Sequence, residues 1–242
     1  MKDIHIGTSG WHYRHWRERF YPAELAPSAW LIYYAREFNC VELNSSFYRL
    51  PAETAVQEWV EQTPADFRFA VKASRRITHR KKLHDCDALL QTLLHRIRGL
   101  GSKLGPILLQ LPPRWPVNPE RLRAFLPHLP AEQRFAFEFR DPSWHTPAIY
   151  DLLRTYQVAF CQFDLGGFQS PAEITTDVVY IRLHGPAAVY AGSYSMQTLR
   201  TWARRLLTWQ AEGKVIYLFF DNDQSGYAVS NARTLRELCE TG

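Results

Sequence analysis

Apolar runs recur along the whole chain, separated by segments in which apolar positions return every three to four residues. Eight runs read as strands: HIGTS from His5, VELN from Val41, FRFAVK from Phe67, PILLQL from Pro106, RFAFEFR from Arg134, VAFCQF from Val158, VVYIRLHG from Val178 and VIYLFF from Val215. Between them the spacing predicts helices over 29–38, 54–62, 85–98, 119–126, 147–156 and 196–211. The sixth connection, 164–177, is too short for a full helix. Alternating strands and helices imply a parallel sheet, and eight repeats imply closure. The expected fold is therefore α/β, a single TIM-like (β/α)8 barrel over 1–242 with a weak or missing sixth helix. No GxGxxG follows the first strand, which argues against a dinucleotide-binding sheet.

Side chains alternate between the two faces of a barrel strand, so each strand has a readable parity. In RFAFEFR, Phe135, Phe137 and Phe139 share one face and Ala136, Glu138 and Arg140 the other. Phenylalanines belong against the helices, which sends Glu138 and Arg140 inward. The same reading elsewhere gives an inward set of Ser9, Glu42, Asn44, Lys72, Gln110, Glu138, Arg140, Gln162, Asp164, Arg182, His184 and Asn222. Barrel interiors are normally layers of branched apolar residues, and active sites lie at the C-terminal strand ends. A polar residue near the end of each strand is thus the pattern of a site. A polar network that only holds the mouth together would use the same residues, with Glu42, Glu138 and Asp164 neutralising Lys72, Arg140 and Arg182.

Length and composition agree with this picture. The 242 residues match the roughly 250 of such barrels. With 46% hydrophobic and 22% charged residues, the chain can bury a large core. It has no apolar run long enough to span a membrane, and the opening MKDIHIG lacks a signal-peptide core. Cys40, Cys86, Cys161 and Cys239 are scattered without a CxxC pair, as reduced thiols of a cytoplasmic protein would be. The net charge is +5, but the segment KASRRITHRKK from Lys72 to Lys82 carries six of the 29 basic residues and no acid. The rest of the chain then holds 23 basic against 24 acidic residues. Local basicity points to an anion site more than to a surface coated for nucleic acid.

The motifs at the strand ends resemble those of the YecE-like family, domain of unknown function 72, over essentially the full length. They are GTSGWHY from Gly7, RFYP from Arg19, FNCVELNSSFYRLP from Phe38, FRFAVKASRRITH from Phe67 and LGPILLQLPP from Leu104. FEFRDPSW from Phe137, YIRLHGP from Tyr180, YAGSYS from Tyr190 and YLFFDNDQSGYAVSNA ending at Ala232 complete the set. The resemblance implies a TIM-like barrel and supplies no activity. Asp141 stands where the resemblance leads one to expect histidine.

Candidate chemistry follows from the inward set. Glu42 and Glu138 form a carboxylate pair of the kind that serves as acid and base in glycoside chemistry. With His184 they are the expected catalytic residues of a hydrolase or isomerase for a small polar, anionic or sugar-like substrate. Glu138 is the preferred acid or base, because Phe137, Phe139 and Trp144 surround it in sequence and are expected to restrict water and raise its pKa, while a nearby Arg140 would oppose the upward shift. Ser9, Trp11, Tyr13, Asn44, Lys72, Gln110, Arg140, Arg182 and Asn222 are expected to bind substrate. Lys72, Arg140 and Arg182, with Arg75, Arg76 and His79 on the next loop, suit a phosphate or carboxylate. Lys72 also suits a Schiff base if desolvated.

The aromatics Trp11, Tyr13, Trp16, Phe47, Tyr48, Trp144, Tyr190 and Tyr194 fall in loops after strands, Trp16 and Trp144 reading more readily as core caps. The glycines around Tyr190 suggest a flap. Glu42, Glu138, Asp164 and His184 are a mixture suited to a divalent metal, yet no local ligand spacing supports one, and no metal or cofactor is expected. DNDQSG, 221–226, resembles a calcium loop only in part: its position 12 falls on Ala232 and a strand, not a helix, precedes it. The alternative to an enzyme is a non-catalytic binder of nucleic acid or a phosphate ligand through the basic segment.

Overall fold

The computed structural model describes residues 3–241, so Met1, Lys2 and Gly242, the ends of the sequence-based assignments, lie outside the described residues. Eight parallel strands follow one another around a barrel: β1 (Ile4–Thr8), β2 (Cys40–Leu43), β3 (Arg68–Lys72), β4 (Leu104–Leu111), β5 (Phe135–Phe139), β6 (Ala159–Leu165), β8 (Val178–Leu183) and β9 (Val215–Phe220). The short β7 (Phe168–Gln169) folds back antiparallel on β6. It occupies the connection read as lacking a helix, and no helix forms there.

Around the strands lie α1 (Trp30–Glu37), α2 (Ser45–Tyr48), α3 (Glu53–Glu61), α4 (Asp87–Ile97), α5 (Pro119–Phe125), α6 (Pro147–Thr155), α7 (Met196–Ala211) and α8 (Tyr227–Thr241). Their starts follow local chemistry. The Asn118 side chain accepts from the Arg121 amide at 2.9 Å just before Pro119, and Ser195 accepts from the Thr198 amide at 3.1 Å. In α7 the buried Leu199, Trp202, Ala203 and Leu206 repeat at helical spacing and face the barrel. The final helix, α8, was not among those predicted, although Ala228, Ala232, Leu235 and Cys239 form an apolar stripe.

Two apolar layers result. The larger lies between strands and helices and contains Phe135, Phe137 and Phe139, which therefore face outward as their parity required. Trp16 and Trp144 are wholly buried in it. The smaller fills the barrel's lower interior with Cys40, Ala70, Leu108, Ala136, Ala159, Cys161, Val178, Tyr180, Tyr217 and Phe219. Two residues further along their strands the same inner face turns polar: Cys40 leads to Glu42, Ala70 to Lys72, Leu108 to Gln110, Ala136 to Glu138 and Tyr180 to Arg182.

The ring closes between β1 and β2 by one parallel bridge, Ser9 to Glu42. Below it, the Tyr34 hydroxyl from α1 stands in for the missing ladder: it accepts from the Thr8 amide at 2.9 Å and donates to the Cys40 carbonyl at 3.0 Å. Gly7 is needed beside it, since a β-carbon there would come within 2.3 Å of the Cys40 carbonyl oxygen. Tyr34→Phe strands that buried amide and carbonyl, and the expected loss is about 1–3 kcal/mol, measured by urea unfolding. A change below roughly 0.5 kcal/mol would show that the seam does not depend on this hydroxyl.

Candidate functional site

The inner polar residues meet at the C-terminal strand ends around one guanidinium. Arg182, fully buried, donates from Nε to Glu42 Oε2 at 2.9 Å, from Nη2 to Glu42 Oε1 at 2.7 Å and from Nη1 to Glu138 Oε2 at 2.8 Å. Nη2 also reaches Ser9 Oγ and Asp221 Oδ2, each at 3.2 Å. Glu42 is completed by the Ser9 hydroxyl and by Tyr180 OH at 2.6 Å, and Glu138 by Arg140 Nε. Asn44 Nδ2 in turn donates to Ser9 Oγ at 2.6 Å.

His184 Nδ1 lies 2.8 Å from Asp221 Oδ2, while its Nε2 lies 2.9 Å from Arg140 Nη2 and 3.2 Å from Arg182 Nη1. A carboxylate on one side and two obligate donors on the other assign the proton to Nδ1.

Burial and charge compete at Glu138 and Asp221. Burial alone would raise the Glu138 pKa, but Arg140 and Arg182 outweigh it and hold the group well below the usual range. Asp221 is likewise held low against burial, by His184, Arg182 and Lys72. Such groups stabilise the fold above the unfolded carboxylate pKa, and the contribution is lost as pH falls through the depressed folded value. Stability is therefore expected to fall on acidification below roughly pH 4, read as a drop in urea midpoint. A midpoint that stays flat under acid would contradict the pairing.

Above this layer opens a cavity of about 510 Å³ lined by Tyr13, Asn44, Phe47, Tyr48, Lys72, Tyr190, Asp221, Asp223 and Gln224. Tyr13 and Asn44 also line an adjoining cleft of about 500 Å³ that contains Trp11 and Trp59, whose rings meet edge to face. Lys72 is the basic residue of the main cavity. Its Nζ sits 4.4 Å from the centre of the Phe47 ring. Burial first, then Arg182, pushes its pKa down to about 8, against the opposing pull of Glu138, Glu42 and Asp221. Asp223 at the rim is pushed up to about 6 by burial, against His15 and the Trp16 indole that donates to it.

The structure brings Ser9, Glu42, Lys72, Glu138, Arg140, Arg182 and His184 to one end of the barrel, with Tyr13 and Asn44 in the cavity wall and Trp11 in the cleft. Glu42, Glu138 and His184, the residues expected to be catalytic, are fully buried and lie behind the cavity wall. Gln110, paired in register with Glu138, donates to the Leu111 carbonyl at 3.3 Å.

Three inward assignments are corrected. Asn222 turns away from the mouth, donating to Asn231 on α8 at 2.9 Å and to the Gly192 carbonyl at 2.8 Å, so Asp221 is the inward residue after β9. On β6 the inner positions are Ala159 and Cys161, and Phe163 follows them beneath Arg140, its ring centre 5.3 Å from the guanidinium carbon. Gln162 faces α7, accepting from Arg205 at 2.9 Å, and Asp164 accepts from Gln169 at 3.4 Å. Asp164 is thereby removed from the acidic set weighed for a metal.

Other expectations also change in detail. His79 is pushed down to about 4 by burial, Lys72 and Arg140, so it adds no positive charge at neutral pH. Asp141 caps the turn after β5, accepting from the Ser143 amide at 3.0 Å and its hydroxyl at 2.7 Å, and does not line the cavity. The loop around Tyr190 is tied by the Tyr190 amide to the His184 carbonyl at 2.6 Å, as well as by Asn222.

Fold and mouth together define a (β/α)8-barrel protein with an ion cluster sealing the C-terminal end of its interior. The chain belongs to the family described as protein of unknown function DUF72, whose model matches residues 5–242. It is 38% identical over 144 residues to the UPF0759 protein YecE of Escherichia coli K12, a match covering 58% of this chain and half of that protein. It is 27% identical to the UPF0759 protein YunF of Bacillus subtilis, covering 98% of this chain and 95% of the relative. Among solved structures, a DUF72 family protein of Thermotoga maritima superposes with a TM-score of 0.88 at 29% identity, covering 98% and 99% of the two chains. A DUF72 protein of Enterococcus faecalis, 20% identical, gives 0.83 over 98% and 95%, and supports the fold alone. No helix among the described residues is long and apolar enough to cross a membrane.

Proposed function

We propose that the mouth is the active site of an enzyme that acts by acid-base catalysis on a small, hydroxyl-rich, sugar-like substrate, of hydrolase or isomerase type. The observation that carries this reading is Lys72, a buried amine with a pKa near 8 in the wall of a cavity, with no carboxylate within ion-pair distance among the described residues. A group poised near the working pH is what proton transfer requires.

Cavity charge refines the substrate class. Arg140 and Arg182 are engaged by the glutamates, which leaves Lys72 facing Asp221 and Asp223. That balance favours neutral polyols over phosphates. Asn44, Tyr13, Tyr190 and Gln224 offer hydrogen bonds to hydroxyls, and the faces of Phe47 and Tyr48 suit the C–H side of a sugar ring. In this scheme Glu42, Glu138 and His184 are positioning residues: they fix Arg182 and Asp221 without touching substrate.

The test is turnover across a panel of aldoses, ketoses and glycosides. An identified substrate is expected to give kcat/KM that rises with pH through about 8 as Lys72 loses its proton. The charges facing Lys72 that set this value are Glu42, Glu138, Asp221 and Arg182. A profile flat across that range would count against Lys72 as the base.

A non-catalytic binder has one observation in its favour: Arg75 lies over the exposed Tyr48 ring, its guanidinium carbon 5.5 Å from the centre, at the cavity rim. Steeply salt-dependent binding of a single-stranded oligonucleotide, with no turnover on any member of the panel, would establish that reading instead.

A further inference from the structure

The chain contains its own comparison for Lys72. Lys103 has a similarly small exposed fraction, 8% against 9%, though it lies nearer the surface, and its ammonium donates to the Val60 carbonyl at 2.6 Å, the Thr63 carbonyl at 2.7 Å and the Thr63 hydroxyl at 3.0 Å. That is a satisfied structural lysine: three protons, three acceptors. Lys72 Nζ makes no hydrogen bond and no ion pair with protein groups among the described residues; it faces the cavity and the ring of Phe47. Burial of the side chain disfavours the ammonium, and with no protein acceptor holding its protons the neutral amine keeps a lone pair free toward the cavity. Its surroundings add a cavity large enough for a short-chain sugar and the rim carboxyl group Asp223.

We propose that Lys72 is a covalent site, forming an imine with the open-chain carbonyl of a small hydroxylated aldehyde or ketone held in the cavity. This rests on the reading of the mouth as a site for sugar-like compounds, and it names the form in which they react. The amine lone pair attacks the carbonyl carbon and the C=O electron pair moves to oxygen. Proton transfer from nitrogen to that oxygen gives a carbinolamine. One further proton, supplied from solvent by way of Asp223, lets the hydroxyl leave as water and leaves a protonated C=N bond. Amine, carbonyl and one proton thus give iminium and water, with no oxidant or reductant required. In this covalent form Lys72 is the nucleophile and not the base: the iminium acidifies the neighbouring C–H, and the carboxyl groups of the cavity wall, Asp221 and Asp223, are the ones left to take its proton.

The experiment uses the full-length protein, glycolaldehyde and sodium cyanoborohydride, which reduces an imine to a stable amine, followed by peptide mass spectrometry. Lys72 is expected to be labelled about 10-fold faster or more than the exposed Lys81 and Lys82 at neutral pH, because a larger fraction of it is unprotonated. Lys103 is expected to stay unlabelled, and excess of a non-carbonyl polyol that fills the cavity should slow Lys72 alone. Labelling of Lys72 no faster than Lys81 overturns the imine. In that event a large loss of turnover in Lys72→Met would still support the acid-base reading. Selective labelling combined with unimpaired turnover in Lys72→Met would instead confirm the covalent site and overturn the acid-base reading.

Discussion

Arg182→Met is expected to lower folding stability by about 3–5 kcal/mol, because it leaves two buried carboxylates without their shared cation. Both glutamates and the arginine are wholly inaccessible to solvent. Glu42 would keep only Ser9, Tyr180 OH and their neutral hydrogen bonds, while Glu138 would keep Arg140. Unfolding in urea measures the effect, and the slope of the transition checks that the native state has not loosened. Adding Glu42→Gln and Glu138→Gln to Arg182→Met is expected to recover a large part of the loss, since buried amides cost less than buried charges. A single mutant within about 1 kcal/mol of the parent would mean that the guanidinium is not the hub of this cluster.

The other large effect is functional. On an identified substrate, Lys72→Met is expected to reduce kcat by about 100-fold or more, the usual contribution of a positioned acid or base. KM should move little, because Asn44, Tyr13 and Gln224 remain to hold the ligand. Stability should be unchanged or slightly raised: the ammonium makes no hydrogen bond, and an unbranched thioether fills the same space without a charge. Glu138→Gln is the informative contrast. It breaks the pairs with Arg140 and Arg182, so its first effect falls on folding, and any effect on kcat acts through displaced partners. Undiminished kcat in Lys72→Met would remove this residue from the chemistry.

Much of this arrangement could be read from the sequence where one strand face is apolar and the other is not. RFAFEFR fixed its own orientation because three phenylalanines cannot share the interior with Glu138 and Arg140. β6 and β9 carry no such contrast. In AFCQFDL the aromatic side chains fall on both faces, and polarity at Gln162 and Asp164 was mistaken for the inner face. The clue missed was size, since Ala159 and Cys161 are small enough for the crowded axis while Gln162 has Arg205 to meet outside. VIYLFF is apolar throughout, which left Asp221 and Asn222 to be distinguished by register alone. The pairing of Tyr180 with Tyr217, both inside, decides it for Asp221. That acids and cations of the mouth could neutralise one another was legible, but which cation would remain for a ligand was not, because it depends on distances between strands far apart in sequence. Arg182, equally basic on paper, is consumed, and Lys72 is left.

The placement of that arginine also governs the order in which the molecule can assemble. It lies 140 residues beyond Glu42 and 44 beyond Glu138, and its contact with Ser9 spans 173. Contacts of such separation form only after the intervening loops have closed, so they come late and slowly. A chain growing from its N-terminus therefore presents β2 and β5 with carboxylates that have no Arg182 to neutralise them. Desolvating those groups early is unfavourable, which keeps the upper rim of the half-made barrel hydrated until β8 arrives. The cluster is thus expected to act as a late latch, discouraging a ring that closes before all its strands are present.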